Sequence, residues 1–132
     1  MMRWLLSFST VLLATTATQA ASPSQCAALA SFSLPNITIT ISSATWNPAG
    51  ARPEHCRVVG NIGPGKIGFA VQLPSDWNGR FLHQGGGGYV GAIPDASAFL
   101  ALHYATAATD TGHTGSGIDA LRPASRLRTP SG

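Results

Sequence analysis

Ile37, Ile39 and Ile41 alternate with Thr38 and Thr40, the period of a half-buried strand made of β-branched side chains. The alternation returns in Ile67, Phe69, Val71 and Leu73 and stops at Pro74, where the missing backbone N–H would end a sheet ladder. Ser75-Asp76-Trp77-Asn78-Gly79 is turn chemistry, and it leads to a short apolar piece, Phe81-Leu82, that runs into the four glycines Gly85 to Gly88. The period then changes. Asp95 follows Pro94 as a plausible helix N-cap, and Ala96 to Tyr104 is free of breakers and rich in Ala and Leu, which predicts a helix. Ala105 to Thr109 returns as a strand ending at Asp110.

Strand, strand, strand, glycine loop, helix, strand is the order of an α/β sheet at its beginning. One crossover is an incomplete sheet: parallel strands are covered on both faces, so this segment alone would leave apolar strand surface bare. From Thr114 onward Gly, Pro, Ser, Thr and Arg mix without apolar periodicity, so disorder is expected over 114–132. The readings of this tail are truncation or a frameshift.

The first twenty residues follow secretory grammar. Arg3 is the positive n-region, Trp4 to Leu13 the apolar h-region, and Thr18-Gln19-Ala20 a cleavage site with small residues. The apolar run is well short of the roughly 20 residues that span a bilayer, so 1–20 is expected to be a signal, with no membrane anchor. The mature chain is then expected to be secreted or periplasmic, with 21–113 as its folded part. Asn36-Ile37-Thr38 is a glycosylation acceptor only in a eukaryotic secretory route.

Charge narrows the partners. The 132-residue chain has a formal net charge of +3, yet Ala21 to Leu121 holds four basic residues against five acidic ones. Three of the remaining arginines, Arg122, Arg126 and Arg128, sit in the tail. No nucleic-acid footprint remains, since that needs Lys and Arg clustered on a folded face. The only cysteines, Cys26 and Cys56, both lie in the exported part. An even count in an oxidising compartment favours a disulfide, the alternative being two separately buried thiols.

The glycine run carries the most chemistry. Glycine lets backbone N–H groups face inward with no Cβ in the way, so a glycine loop after a strand can hold an anion. A flexible linker is the plain alternative. Gly86, Gly88 and Gly91 also satisfy GxGxxG, with Asp110 near the offset of a ribose-binding acid, although the loop follows a third strand and not the first. The element order fits better an oxyanion loop of the HGGG type, which lies between a third strand and a first helix. Its expected donors are the backbone N–H groups of Gly86 and Gly87.

Asp110-Thr111-Gly112-His113 admits several readings. Asp-Thr-Gly marks aspartic proteases, whose mechanism needs two carboxylates, and one copy is present. Asp110 and His113 could begin a metal site, but His55, His83 and His103 offer no third ligand at good spacing. The remaining reading is a strand end stapled by polar side chains.

Taken together, the early cysteine pair, Leu73-Pro74-Ser75-Asp76-Trp77-Asn78-Gly79-Arg80-Phe81, the block Gly85 to Gly91 and Ala107-Ala108-Thr109-Asp110-Thr111-Gly112-His113 resemble the tannase/feruloyl esterase family. The resemblance runs from about Cys26 to Gly117. It implies an α/β-hydrolase fold, here its N-terminal part with the first strands, oxyanion loop and first helix, and a Ser-His-Asp triad cleaving phenolic-acid esters, free or polysaccharide-linked. By resemblance, Gly86 and Gly87 are the oxyanion donors, Cys26 and Cys56 the first disulfide, and Asp110 and His113 possible neighbours of the active site. The family's Gly-Cys-Ser-x-Gly-Gly nucleophile motif does not occur in the 132 residues, and Ser116 and Ser125 lack the strand-to-helix turn of a nucleophile elbow. The triad is therefore expected beyond Gly132 and the chain alone is expected to be inactive. No cofactor is expected in this chain; the calcium site of intact relatives belongs to a lid domain. Two rivals stand beside this reading, a small secreted β-rich binding or structural module and a dinucleotide binder through Gly86, Gly88 and Gly91.

Overall fold

The computed structural model describes residues 21–64, 67–86, 91–113 and 115. The expected signal and, apart from Gly115, the expected tail lie outside the described residues, as does Gly87. Five strands form one sheet: β1 (Ile39–Asn47), β2 (His55–Ile62), β3 (Ile67–Pro74), β4 (Phe81–Gln84) and β5 (Ala105–Thr109), in the spatial order β1-β2-β3-β5-β4. The ladders β1/β2, β2/β3 and β3/β5 are antiparallel, and β4/β5 alone is parallel. The crossover expected after the glycines is present, between β4 and β5, but the glycines follow a fourth strand and not the expected third, and a helix already precedes the sheet. The rest of the sheet is antiparallel, so the α/β character is confined to this one unit.

The start of β1 was legible, but its second half and all of β2 were not. At Ser42 the register slips, so that Ile41 pairs Gly60 while Ser43 already pairs Val59. A bulge of this kind reverses which parity of residues faces inward. Ile39 and Ile41 before it, and Ala44 and Trp46 after it, therefore pair with Ile62, Gly60, Val58 and Cys56 on one face. That face is the core: Cys26, Cys56 and Val58 are buried, and Leu29, Ile41, Ala44, Trp46, Phe69, Val71 and Leu73 pack around them.

A helix that the pattern did not predict covers this face. α1 (Pro23–Ala28) begins at Ser22, whose Oγ accepts from the Gln25 backbone N–H at 3.3 Å, with Pro23 in the first turn. A 3-10 turn follows at Leu29–Ser31. Six residues are too few for a stable isolated helix; the Cys26–Cys56 disulfide, with Cα atoms 5.4 Å apart, fixes it to β2.

The opposite face lies under the crossover and is unusually polar. Gln72 on β3 lies between Arg57 on β2 and Thr106 on β5, and Thr106 Oγ1 donates to Gln72 Oε1 at 3.1 Å. With His55 and Asp95 they line a cavity of about 340 Å³.

The expected helix from Ala96 to Tyr104 is shorter than its composition suggests: α2 spans Ser97–Leu100. The carbonyl oxygens of Leu102 and His103 instead accept from Asn78, from its Nδ2 at 2.8 Å and its backbone N–H at 3.0 Å, and His103 adopts φ 64°. The left-handed His103 ends the helix, its N–H donating to the Leu100 carbonyl at 2.9 Å and the Tyr104 N–H to the Phe99 carbonyl at 3.2 Å, the pattern of a Schellman turn. Asp95 is not the N-cap, which is Ala96. Its carboxylate accepts from the Ser97 N–H at 2.9 Å and Ser97 Oγ at 3.0 Å, and the Ser97 N–H chiefly holds its pKa below the ordinary carboxylate value. Stability from this contact is therefore present above the ordinary carboxylate range and is lost as pH falls through the lowered value.

Gly60 shows how tightly the sheet is assembled. A Cβ there would collide with the backbone oxygen of Thr40 and would sit 2.8 Å from the Phe69 ring. Gly60→Ala is expected to destabilise the chain by about 2 to 3 kcal/mol, because backbone cannot yield as a side-chain tip can. Denaturant titration of both proteins checks this, and an unchanged midpoint would refute it.

Candidate functional site

Two of the glycine-bearing strings leave the sheet side by side. β4 and β5 pair from Phe81↔Ala105 to Gln84↔Ala108, so both point their C-terminal ends the same way. Gly85 follows β4 and Asp110 follows β5. In open α/β sheets ligands bind beyond the carboxyl ends of the strands, because loops converge there. The two strings are then joined directly: the Gly91 N–H donates to the Gly115 carbonyl at 3.1 Å in an isolated bridge.

The Trp-Asn-Gly-Arg turn fixes the opposite ends of the same strands. Gly79 takes φ 81°, a region that favours glycine. Asn78 Oδ1 accepts from the Arg80 N–H at 2.9 Å. The Arg80 carbonyl accepts from Trp77 Nε1 at 2.6 Å and from the Ala105 N–H at 3.0 Å. Arg80 also donates from a terminal guanidinium nitrogen to the Tyr104 hydroxyl at 3.1 Å, with its guanidinium carbon 5.8 Å from that ring's centre. The Trp-Asn-Gly-Arg string therefore braces the start of β4 against the start of β5.

Asp110 is placed as a staple. It is 8 % exposed, and its Oδ1 accepts from the Gly68 N–H and the Gly112 N–H, each at 2.9 Å. The Asp110 N–H in turn donates to the Gly68 carbonyl at 3.1 Å. Gly68 has to be glycine here, since a Cβ would meet Asp110 Oδ2 at 2.6 Å. The turn is completed by Thr111 at φ 59° and Gly112 at φ 86°, with Thr111 Oγ1 3.4 Å from His113 Nδ1 and the His113 N–H reaching the Asp110 carbonyl at 3.5 Å. A ribose-binding acid must offer its oxygens to a ligand, whereas Asp110 turns Oδ1 onto two backbone N–H groups.

Gly86 sits half-buried just beyond β4. Gly85 before it has open space where a Cβ would stand. The preceding Gln84 carries a buried Oε1 with no hydrogen-bond partner among the described residues. Cys26 and Cys56 belong to the core face under α1. Among the described residues no helix is long and apolar enough to cross a membrane.

The chain is similar to known esterases. A family model described as tannase and feruloyl esterase matches residues 54–125. A mono(2-hydroxyethyl) terephthalate hydrolase of Piscinibacter sakaiensis is 34 % identical, over 60 % of this chain and 17 % of that protein. An uncharacterized esterase of Xanthomonas campestris pv. campestris is 42 % identical over 78 % of this chain and 20 % of its own length. One of Agrobacterium fabrum is 36 % identical over 66 % and 19 %. The chain thus spans about a fifth of the curated relatives it matches. The crystal structure of an esterase from Aspergillus oryzae superimposes with a TM-score of 0.61 at 24 % identity, covering 71 % of this chain and 23 % of that one; this likeness concerns the fold.

Proposed function

Since the chain belongs to the tannase and feruloyl esterase family, we propose that it supplies the oxyanion-binding part of a secreted serine-type carboxylic ester hydrolase acting on esters of phenolic or other aromatic acids. The observation that carries the reading is the shared exit of the two glycine-bearing strings at the carboxyl ends of β4 and β5. In ester hydrolysis a serine oxygen attacks the carbonyl, a histidine moves the proton, and negative charge grows on the former carbonyl oxygen. The part assigned here is to meet that charge with the backbone N–H groups of Gly86 and Gly87, which carry no Cβ to hold the substrate off. The ester of an aromatic acid in the name of the Piscinibacter relative supports the substrate class.

The nucleophile and its partners lie outside the 132 residues in this reading, so the chain alone leaves esters intact. Feruloyl and galloyl esters are to be offered to the purified chain and to a protein in which it is continued to the length of its relatives. Hydrolysis by the longer protein only, abolished by a serine-directed phosphonate, is the expected result. Turnover by the chain alone would overturn the placing of the nucleophile, and an inert longer protein would overturn the ester assignment.

A further inference from the structure

The glycine loop needs fixed ends if its amides are to be in place before charge develops, since preorganised donors require no reorganisation during the reaction. One end is fixed by β4, which is paired through Gln84. The other end is Gly91, whose N–H is tied to the Gly115 carbonyl at 3.1 Å. Gly115 belongs to the segment that turns off the sheet at Asp110, and that turn closes on one atom. Asp110 Oδ1 takes the Gly112 N–H from the turn and the Gly68 N–H from β3, both at 2.9 Å. Bonds to an ionised acceptor are roughly twice as strong as neutral ones, and the backbone bond from Asp110 to the Gly68 carbonyl adds a second tie at 3.1 Å.

We propose that Asp110 is the positioning residue of the glycine loop, holding its far end through the series Gly68, Asp110, Gly112, Gly115 and Gly91. The inference rests on reading that loop as the oxyanion site. It gives the Asp-Thr-Gly-His string a role that involves neither substrate contact nor metal binding. It also explains why β3 carries glycine at 68: any Cβ there meets Asp110 Oδ2 at 2.6 Å and would push the carboxylate off both amides.

Amide hydrogen exchange in the nitrogen-15-labelled chain tests this, with the β2 and β3 amides as an internal standard for global stability. Asp110→Ala is expected to raise exchange at Gly112 and Gly91 together by about tenfold to a hundredfold while the standard is unmoved. Asp110→Asn keeps an oxygen in place without the charge and should raise both by about threefold. Gly91 remaining protected while Gly112 opens would overturn the proposal. If the alanine variant loses protection everywhere, Asp110→Asn decides by the same criterion: a joint rise upholds it and a steady Gly91 beside a risen Gly112 overturns it. In the longer protein, an alanine variant that frees Gly91 yet keeps full ester turnover would leave the positioning intact and sink the oxyanion reading instead.

Discussion

Gly86→Pro in the family-length protein is expected to lower kcat by about a hundredfold to a thousandfold, the usual effect of losing one oxyanion donor, with KM changed far less. Proline removes the N–H, and the proposed donor matters only once the carbonyl oxygen has gained charge, so the loss falls on the transition state and not on the bound ester. Gly86→Ala is the control. Alanine keeps the N–H, so the variant separates a missing donor from a steric effect of the added methyl. Steady-state rates on a feruloyl ester decide the matter. If proline and alanine reduce kcat equally, sterics explain the loss and Gly86 is no donor. A large rise in KM at constant kcat would mean that the loop holds ground-state substrate.

The second large effect concerns stability. Cys26→Ser with Cys56→Ser is expected to lower the unfolding free energy by about 3 to 4 kcal/mol in the chain-entropy account, since the bridge closes a loop with a sequence separation of 30. The loss should be local in its consequence. α1 has six residues, too short to persist unaided, so far-ultraviolet and exchange signals from 23–31 should fade before those of the β2/β3 ladder. Thermal melts with and without reductant give the check. An unchanged melting temperature on full reduction would show that the packing of Cys26 and Leu29 against Val58 and Trp46 is sufficient by itself.

The strands that alternate cleanly were legible in the sequence, and those that do not were missed for identifiable reasons. β3 keeps one parity from Ile67 to Leu73 and was evident. β1 changes parity at Ser42, so Ala44 and Trp46 fall out of step with the isoleucines. β2 sets Cys56, Val58, Gly60 and Ile62 on the core face and His55, Arg57, Val59 and Asn61 on the other, a pattern weakened by glycine on one face and by polar residues on the other. Its His55 is nonetheless buried, because the crossover covers that face. The helix ends earlier than its composition suggests because His103 turns left-handed and closes it, while Asn78, far away in sequence, holds the Leu102 and His103 carbonyls of that turn.

The candidate site was legible as a set of strings and not as an arrangement. Gly86 and the Asp-Thr-Gly-His turn were singled out by residue type and resemblance. The inward commitment of Asp110 depends on Gly68, which lies on another strand, and no spacing rule connects them. The bridge from Gly91 to Gly115 is likewise a product of the parallel pairing of β4 and β5, which only the folded chain brings about.

One carbonyl, that of Arg80, receives both the Trp77 indole N–H and the first amide of β5. A carbonyl that accepts through both of its lone pairs links two events that would otherwise be independent. When the indole swings away, the oxygen that anchors the start of β5 loses one of its two donors, and when β5 frays there, it loses the other. The turn and the base of the parallel pair should therefore open as one cooperative unit, with a common protection factor for the Ala105 amide and the Trp77 ring proton.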